Sequence, residues 1–128
     1  MPIQSECVKD ERVVIYTITD PFDFTDFRAA QAIDRVIFDR ADQPVHSIVD
    51  LRGVRAVSSN LLTLFGRKSH VHHANAGTTV VVTENPLIGM MVNIAGRLLP
   101  SGKLYCVGAL ETAWESIEAT LAAEAMAA

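Results

Sequence analysis

The most constraining feature of the sequence is the segment TTVVVTE at residues 78–84. Its three consecutive valines are β-branched, which favours a strand. Its apolar centre is unbroken, whereas a strand with one solvent-facing side would alternate apolar and polar residues. Strands that are buried on both faces are typical of parallel sheets, in which helices cover the two sides. The segment therefore predicts an α/β fold with a largely parallel sheet and helical cover.

The rest of the chain alternates strand-like and helix-like segments. Further strands are predicted at 3–8, 12–19, 45–51 and 104–107, and helices at about 25–40, 58–74, 85–98 and from 109 onward. The resulting order, β-β-α-β-α-β-α-β-α, contains no internal repeat or linker and predicts a single domain over 1–128. The alanine-rich tail at 122–128 lacks apolar periodicity, so we expect it to fray.

Apolar stripes on two of these helices predict which side faces the sheet. In the helix over 25–40, the predicted buried residues are Phe27, Ala30, Ile33 and Ile37, and the predicted solvent-facing residues are Arg28, Asp34, Arg35 and Asp39. In the helix that begins at Asn85-Pro86, the predicted inward face carries Leu87, Met90, Met91, Ile94 and Leu98. Asp23 or Thr25 is expected to cap the first of the two helices.

Composition and charge narrow the functional classes. The net charge is −4, which gives no support to general nucleic-acid binding. The first dozen residues are polar, and no apolar run approaches the roughly 20 residues that span a bilayer, so we expect neither a secretion signal nor a membrane span. Cys7 and Cys106 are then expected to be free thiols, and the expected compartment is the cytoplasm.

Residues 49–67 carry the only recognisable motif, VDLRGVRAVSSNLLTLFGR. This stretch resembles the STAS domain of anti-sigma-factor antagonists, in which a strand like LDLSGV leads to a loop ending in Asp-Ser-x-Gly before an apolar helix. The residues that fall on matching positions of the family motif, without a gap, are Val49, Asp50, Leu51, Gly53, Val54, Ser58, Ser59, Leu61, Gly66 and Arg67. The element order agrees with that family over nearly the whole chain.

The resemblance implies a non-catalytic regulatory module of a partner-switching system. In that family, phosphorylation of the junction serine releases the antagonist from a serine-kinase-type anti-sigma factor. By the match, Ser58 is the candidate phosphoacceptor and Ser59 the alternate, and the implied partner-binding residues are Arg55, Val57, Ser58, Ser59, Asn60 and Leu62. The implied partner is such a kinase or another protein of a STAS pathway, and self-association as a homodimer is a further option.

Two departures from the family motif keep alternatives open. Val57 stands where the family has aspartate, and Asn60 stands where it has glycine. One alternative is that Ser58 or Ser59 only caps a helix, by accepting a hydrogen bond from a backbone amide. The other is a STAS-fold domain that binds a small apolar ligand or a lipid without a phosphoswitch, with Met90, Met91 and Ile94 as its ligand contacts.

Four histidines raise the question of a metal site. His70, His72 and His73 lie within four residues, and His46 precedes them by one predicted strand. On a helix, positions 70 and 73 share a face while 72 points elsewhere, and no nearby cysteine or glutamate completes a ligand set. The sequence also lacks a phosphate-binding glycine loop and a Gly-x-Ser-x-Gly motif. We therefore expect no metal, no cofactor and no enzymatic activity.

Overall fold

The computed structural model describes residues 2–55, 65, 69–99 and 103–127. Their elements are the strands β1 (Ile3–Val8), β2 (Val13–Thr19), β3 (Val45–Gly53), β4 (Ala76–Val82) and β5 (Leu104–Val107), and the helices α1 (Phe24–Arg40), α2 (Pro86–Leu98) and α3 (Leu110–Ala127). A short 3-10 turn, His70–His72, precedes β4. The predicted single α/β domain is confirmed at this level.

The five strands form one mixed sheet in the order β1-β2-β3-β4-β5. Strands β2, β3, β4 and β5 pair in parallel, with Ile15 opposite Ile48 and Ile48 opposite Val80. Strand β1 pairs antiparallel with β2. Only a tight turn joins these two strands, with Lys9, Asp10 and Glu11 at φ of 56°, 56° and 64°. A parallel pair needs a crossover of a dozen or more residues, so this short connection requires the antiparallel arrangement.

Side chains that alternate along the strands build two apolar layers. On one face of the sheet, residues such as Tyr16, Val49 and Val81 pack against α1 and α2. On the other face, Ile48 and Val80 pack against Ala113 and Ile117 of α3. Val80, Val81 and Val82 are all buried, so the expected burial of this strand on both faces is confirmed.

Helix α1 begins in a capping box and is rotated relative to the predicted orientation. The Asp23 carboxylate accepts from the Asp26 amide at 2.9 Å, and the Asp26 carboxylate accepts from the Asp23 amide at 3.0 Å. Phe27 and Ala30 are buried as predicted, but the stripe continues through Asp34 and Phe38. Ile33 is exposed, so its predicted burial is wrong, as is the predicted exposure of Asp34.

Helix α2 faces the sheet with a different side from the predicted one. Its buried residues are Ile88, Val92 and Gly96, spaced one turn apart. A Cβ at Gly96 would lie 2.2 Å from the Leu104 carbonyl oxygen, so only glycine permits this approach to β5. The predicted inward residues Leu87, Met90, Ile94 and Leu98 are exposed, and Met91 is half-buried. Because Asn93 and Arg97 are the only polar residues of this helix, apolar residues occupy most of its surface, and their spacing did not single out the buried side.

The helix predicted over 58–74 can be followed only at its end, since 56–64 and 66–68 lie outside the described residues. Ser69 is extended, with φ −71° and ψ 153°, and its hydroxyl caps the 3-10 turn by accepting from the Val71 amide. His73 is extended again. The prediction of a helix that continues to Ala74 is therefore wrong, because the chain must turn there to enter β4.

The last helix reaches beyond the point where fraying was expected. Helix α3 extends to Ala127, and Glu124 in this tail contacts Arg12 and His46. Fraying of 122–128 concerns dynamics and stays a prediction. None of the helices among the described residues is long and apolar enough to cross a membrane. Cys7 and Cys106 are both free.

Candidate functional site

Polar contacts at Arg55 connect the loops that follow three neighbouring parallel strands. The Arg55 amide donates to Asp20 Oδ2 at 2.8 Å, and Asn85 Nδ2 donates to the Arg55 carbonyl oxygen at 3.1 Å. Asp20 follows β2 and Asn85 follows β4, so the chain leaving β3 is held between the loops of both neighbours. The same Asn85 side chain caps α2, accepting from the Leu87 amide at 2.9 Å. These hydrogen bonds, at the C-terminal ends of the parallel strands, therefore fix the backbone position of Arg55, from which the next segment starts.

The end of β3 also approaches β2 unusually closely. A Cβ at Gly53 would lie 2.6 Å from Thr19 Cγ2 and 3.0 Å from the Ile18 carbonyl oxygen. Val54, the next residue, is buried, whereas Arg55 is exposed. Val54 is thus the last buried residue before the chain reaches the surface at Arg55.

Of the predicted partner-binding residues, Arg55 is the one that the structure describes. The others, Val57, Ser58, Ser59, Asn60 and Leu62, lie outside the described residues. The predictions for the phosphoacceptor Ser58 and its alternate Ser59 therefore stay predictions. What the structure adds is the anchoring of the preceding backbone.

A carboxylate–guanidinium pair lies near the same strand end. Arg52 Nε and Nη2 donate to the two carboxylate oxygens of Asp50 at 3.0 and 2.8 Å, and the Arg52 amide donates to Oδ1 at 3.0 Å. Burial alone raises the pKa of Asp50, but the hydrogen bonds and charge of Arg52 outweigh burial and hold this pKa below its usual value. Asp50 is therefore an ionised structural group near neutral pH.

His70 belongs to a buried polar chain. Its Nε2 lies 3.1 Å from Ser47 Oγ, which lies 3.0 Å from Thr79 Oγ1, and its Nδ1 lies 3.4 Å from Gln31 Nε2. Because the Gln31 amide nitrogen can only donate, Nδ1 accepts and Nε2 carries the proton. Burial, with a smaller contribution from His72, lowers the pKa of His70 to about 3. This ring is a neutral core group.

The other two histidines of the cluster point to different partners. His72 Nε2 lies 3.2 Å from the Phe65 carbonyl oxygen, and His73 Nε2 lies 2.7 Å from Asp39 Oδ1. Nowhere in the described part of the chain do three histidine, cysteine, aspartate or glutamate side chains come together as a metal site would require.

A groove of about 660 Å³ lies between α1 and the 3-10 turn. Apart from Ala32, the described lining residues are polar or aromatic: Tyr16, Arg28, Gln31, Arg35, Phe38, Ser69, His70, His72 and His73. Gln31 and His73 already have the partners named above. Gln31, His70, His72 and His73 therefore have structural roles as well as lining the groove.

Sequence reasoning missed two buried polar residues, Asp34 and His46, that contact residues far away in the sequence. Asp34 is only 4% exposed; its Oδ1 accepts from Ser5 Oγ at 3.4 Å, and the Tyr16 ring lies beside it. Neither Asp34 Oδ2 nor the Tyr16 hydroxyl has good hydrogen-bond geometry with another described group. Burial raises the pKa of Asp34, and the neighbouring hydroxyls offset this only in part.

The second missed group is His46 at the start of β3. Its Nδ1 accepts from the Thr78 amide at 2.9 Å, and its Nε2 contacts Glu124 on α3. Glu124 also pairs with Arg12. His46 lies 78 positions from Glu124, and Arg12 lies 112 positions from it. No spacing rule relates these residues, so nothing in the sequence signalled the cluster.

The three residues of the apolar-ligand alternative do not share one surface. Met90 and Ile94 are exposed and border a depression of about 550 Å³, together with Pro86, Gly89, Asn93 and Arg97. Met91 instead packs against the core. The exposed stripe also includes Leu98, which is 80% exposed.

Comparison with known proteins adds no family assignment. No protein-family model matches the chain, and no curated protein is significantly similar to it in sequence.

Proposed function

We propose that the chain is a non-catalytic, protein-binding regulatory module of the STAS type. Its partner surface is the segment that follows β3, from Arg55 to Leu62, and Ser58 is the phosphoacceptor. The partner is a serine-kinase-type anti-sigma factor or another protein of a STAS pathway, in the cytoplasm. The basis for the family is the motif at 49–67 together with the order of strands and helices.

The observation that carries this proposal is the anchoring of Arg55. Hydrogen bonds from the loops after β2 and β4 fix the backbone three residues before Ser58. A recognition loop held by a rigid scaffold loses less conformational freedom when a partner binds. The anchor therefore supports a binding role for the segment that begins there.

The strand order supports a surface role over a catalytic one. In open α/β sheets, small ligands bind in the crevice where the strand order reverses. Among the described strands the spatial order follows the chain order, so the parallel strands form no such reversal. The loops at the C-terminal ends of the parallel strands are thus available as a surface for a protein partner.

Three side chains in the described part of the chain that could do chemistry have structural partners. Asp50 is paired with Arg52, His70 with Ser47, and His73 with Asp39. A catalytic site needs a nucleophile, a base and an orienting group around one free position. These pairings favour the non-catalytic proposal.

Phosphorylation gives the proposed module its switch. A phosphate on Ser58 would add roughly two negative charges to a segment that begins with the exposed Arg55. The charge presented to the partner would change sign locally while the sheet stays intact. Partner affinity should therefore depend on the state of one side chain.

Affinity purification from the native cells tests the proposal. The tagged full chain and its Ser58→Ala form should recover the same kinase-type or STAS-pathway partner. Ser58→Asp should reduce that recovery about tenfold, which corresponds to about 1.4 kcal/mol of binding free energy. Ser59→Asp tells which serine matters, and Asn93→Asp, an exposed position on α2, serves as the charge control.

Recovery of no such partner, or equal recovery with Ser58→Asp, contradicts the proposal. Native mass spectrometry of the same purified chain addresses the alternative. A retained fatty acid or lipid, lost on Ile94→Asp, would favour an apolar-ligand domain instead.

A further inference from the structure

We propose that Glu124 and His46 form an acid-sensitive latch that holds the C-terminal end of α3 to the sheet. Neutral His46 and ionised Glu124 keep the latch closed, and protonation of His46 opens it. This inference concerns the edge of the sheet opposite Arg55 and stands independently of the proposed function.

The latch is built around the Glu124 carboxylate. One oxygen contacts His46 Nε2, and the other accepts from Arg12 Nη2. Arg12 is itself fixed, because its Nε donates to the Pro44 carbonyl oxygen at 3.1 Å. Glu124 thus joins the end of α3 to the residues at the start of β2 and β3.

The backbone fixes the tautomer of His46. The Thr78 amide donates to His46 Nδ1 at 2.9 Å, so Nδ1 must be the unprotonated nitrogen. The ring proton then lies on Nε2, where it donates to Glu124. In this state both ring nitrogens are satisfied and the ring is neutral.

The ring has no room to adopt another orientation. The His46 side chain is 1% exposed. A Cβ at Gly77 would lie 2.3 Å from His46 Nδ1 and 2.5 Å from Cε1, so the ring lies directly against the β4 backbone. A flip or a swing to solvent would require the strand edge or the helix end to move.

A second proton on His46 is therefore incompatible with the closed latch. It would have to bind Nδ1, where it would oppose the Thr78 amide proton. Among the charged groups that face the ring, Glu124 favours the proton, whereas Arg12 and Lys103 oppose it. Burial is the largest influence and lowers the pKa of His46 below its usual value, which agrees with this geometry.

The sign of the pH dependence follows from this difference. A released His46 takes up its proton near the ordinary histidine value of about 6.5, while the latched ring takes it up only at lower pH. Between these two values, protonation stabilises the open form. The latch is closed above that window and opens as pH falls through it.

Opening would expose apolar surface at one end of the sheet. Leu121, one turn before Glu124, packs in the cluster that contains Val13 and Val8. The alanine-rich residues after Leu121 have few apolar contacts of their own, since Ala122, Ala123 and Ala125 are exposed. Without the Glu124 contacts, little holds this part of α3 in place.

Amide hydrogen exchange of the full chain, corrected for the intrinsic effect of pH, tests the latch. Protection of residues 121–127 should fall about tenfold between pH 7 and about pH 5 in the wild type, because protonation of His46 favours the open form. The change should be absent in His46→Gln, whose amide can donate and accept but cannot titrate in this range. Glu118→Gln, an exposed glutamate on the same helix, should behave like the wild type.

Glu124→Gln provides a second variant should His46→Gln fail to fold. It should lower protection of 121–127 already at pH 7, because glutamine has one acceptor oxygen and cannot accept from both His46 Nε2 and Arg12 Nη2. Nitrogen chemical shifts should also identify the Nε2-protonated form of His46 at neutral pH. Protection independent of pH, the same acid loss in His46→Gln, or an Nδ1-protonated ring would each overturn the latch.

Discussion

At the scale of single residues, Asp34 is a carboxylate where an apolar side chain would be expected. It lies in the buried stripe of α1 beside Ser5 and Tyr16 and has one long hydrogen bond, 3.4 Å from Ser5 Oγ. Burying a charge without full hydrogen bonding costs free energy. Asp34 therefore binds its proton more tightly in the folded chain than in the unfolded chain.

We predict that Asp34→Asn stabilises the protein near neutral pH and not in acid. A raised folded-state pKa gives a contribution to stability that is fully present below the ordinary value of about 3.9 and is lost as pH rises through the folded value. Asparagine avoids that loss, so the gain should be about 1–2 kcal/mol at pH 7–8. Urea unfolding at several pH values measures it.

Asp42→Asn, an exposed carboxylate just after the same helix, is the matched control and should change stability little at any pH. A variant Asp34→Asn that is less stable than the wild type at neutral pH would show that the carboxylate has a favourable ionised role.

Asn85 has two roles that a single substitution can separate. Its Oδ1 caps α2, and its Nδ2 donates to the Arg55 carbonyl oxygen. We predict that Asn85→Asp keeps the cap and removes only the donor, leaving stability within about 0.5 kcal/mol of the wild type. Exchange of the Arg55 amide should nevertheless become faster, because one of the two anchors of that residue is gone.

Asn85→Ala removes both roles and should cost about 1 kcal/mol of stability in addition. Thermal unfolding together with amide exchange distinguishes the two variants. If Asn85→Asp leaves Arg55 exchange unchanged, the contact from Asn85 does not hold the loop.

At the scale of the elements, the orientation of α2 predicts that substitutions at the adjacent residues Leu87 and Ile88 change stability by very different amounts. Ile88 is 0% exposed and faces the sheet, whereas Leu87 is 61% exposed. We predict that Ile88→Ala costs about 2–5 kcal/mol, because it removes buried contacts and leaves a cavity. Leu87→Ala should change stability by no more than about 0.5 kcal/mol. Chemical denaturation of both variants provides the comparison, and equal costs would mean that the helix faces the sheet differently.

Helices α1 and α2 show which structural features the sequence can predict and which it cannot. Both were predicted within a residue or two of their ends, because capping residues such as Asp23 and Asn85 have a local signature. The buried face of α2 was assigned wrongly, and that of α1 was wrong at Ile33 and Asp34. In α1 the core accepts a carboxylate, Asp34, and in α2 the smallest residue, Gly96, makes the closest approach. Both outcomes depend on the neighbouring strand, which periodicity along one helix does not contain.

At the scale of the whole molecule, two opposite edges of one sheet carry different features. The carboxyl edge holds the Arg55 anchor, and the amino edge holds the His46–Glu124 contact. Helix α3 runs between these edges over the face formed by Ile48 and Val80. Changes at one edge can therefore be tested independently of the other.

The sequence predicted the single α/β domain and the position of every described strand, since these follow from local patterns. It did not predict the contacts at either edge. Arg55 meets Asp20 and Asn85 across 35 and 30 residues, and His46 meets Glu124 across 78. Such pairs arise only once the strands are in register. Val57, Ser58 and Asn60 lie outside the described residues, so their proposed roles rest on the motif.

The central claim, a partner surface that begins at Arg55, is tested most directly by site-specific photo-crosslinking in the native cells. A crosslinker placed at the exposed position 55 should capture a kinase-type anti-sigma factor or another STAS-pathway protein, and Ser58→Asp should abolish the product. The same crosslinker at the exposed Glu118 on the opposite layer should not capture it. No product at position 55 beyond that at Glu118, or a product that Ser58→Asp leaves unchanged, would contradict the account.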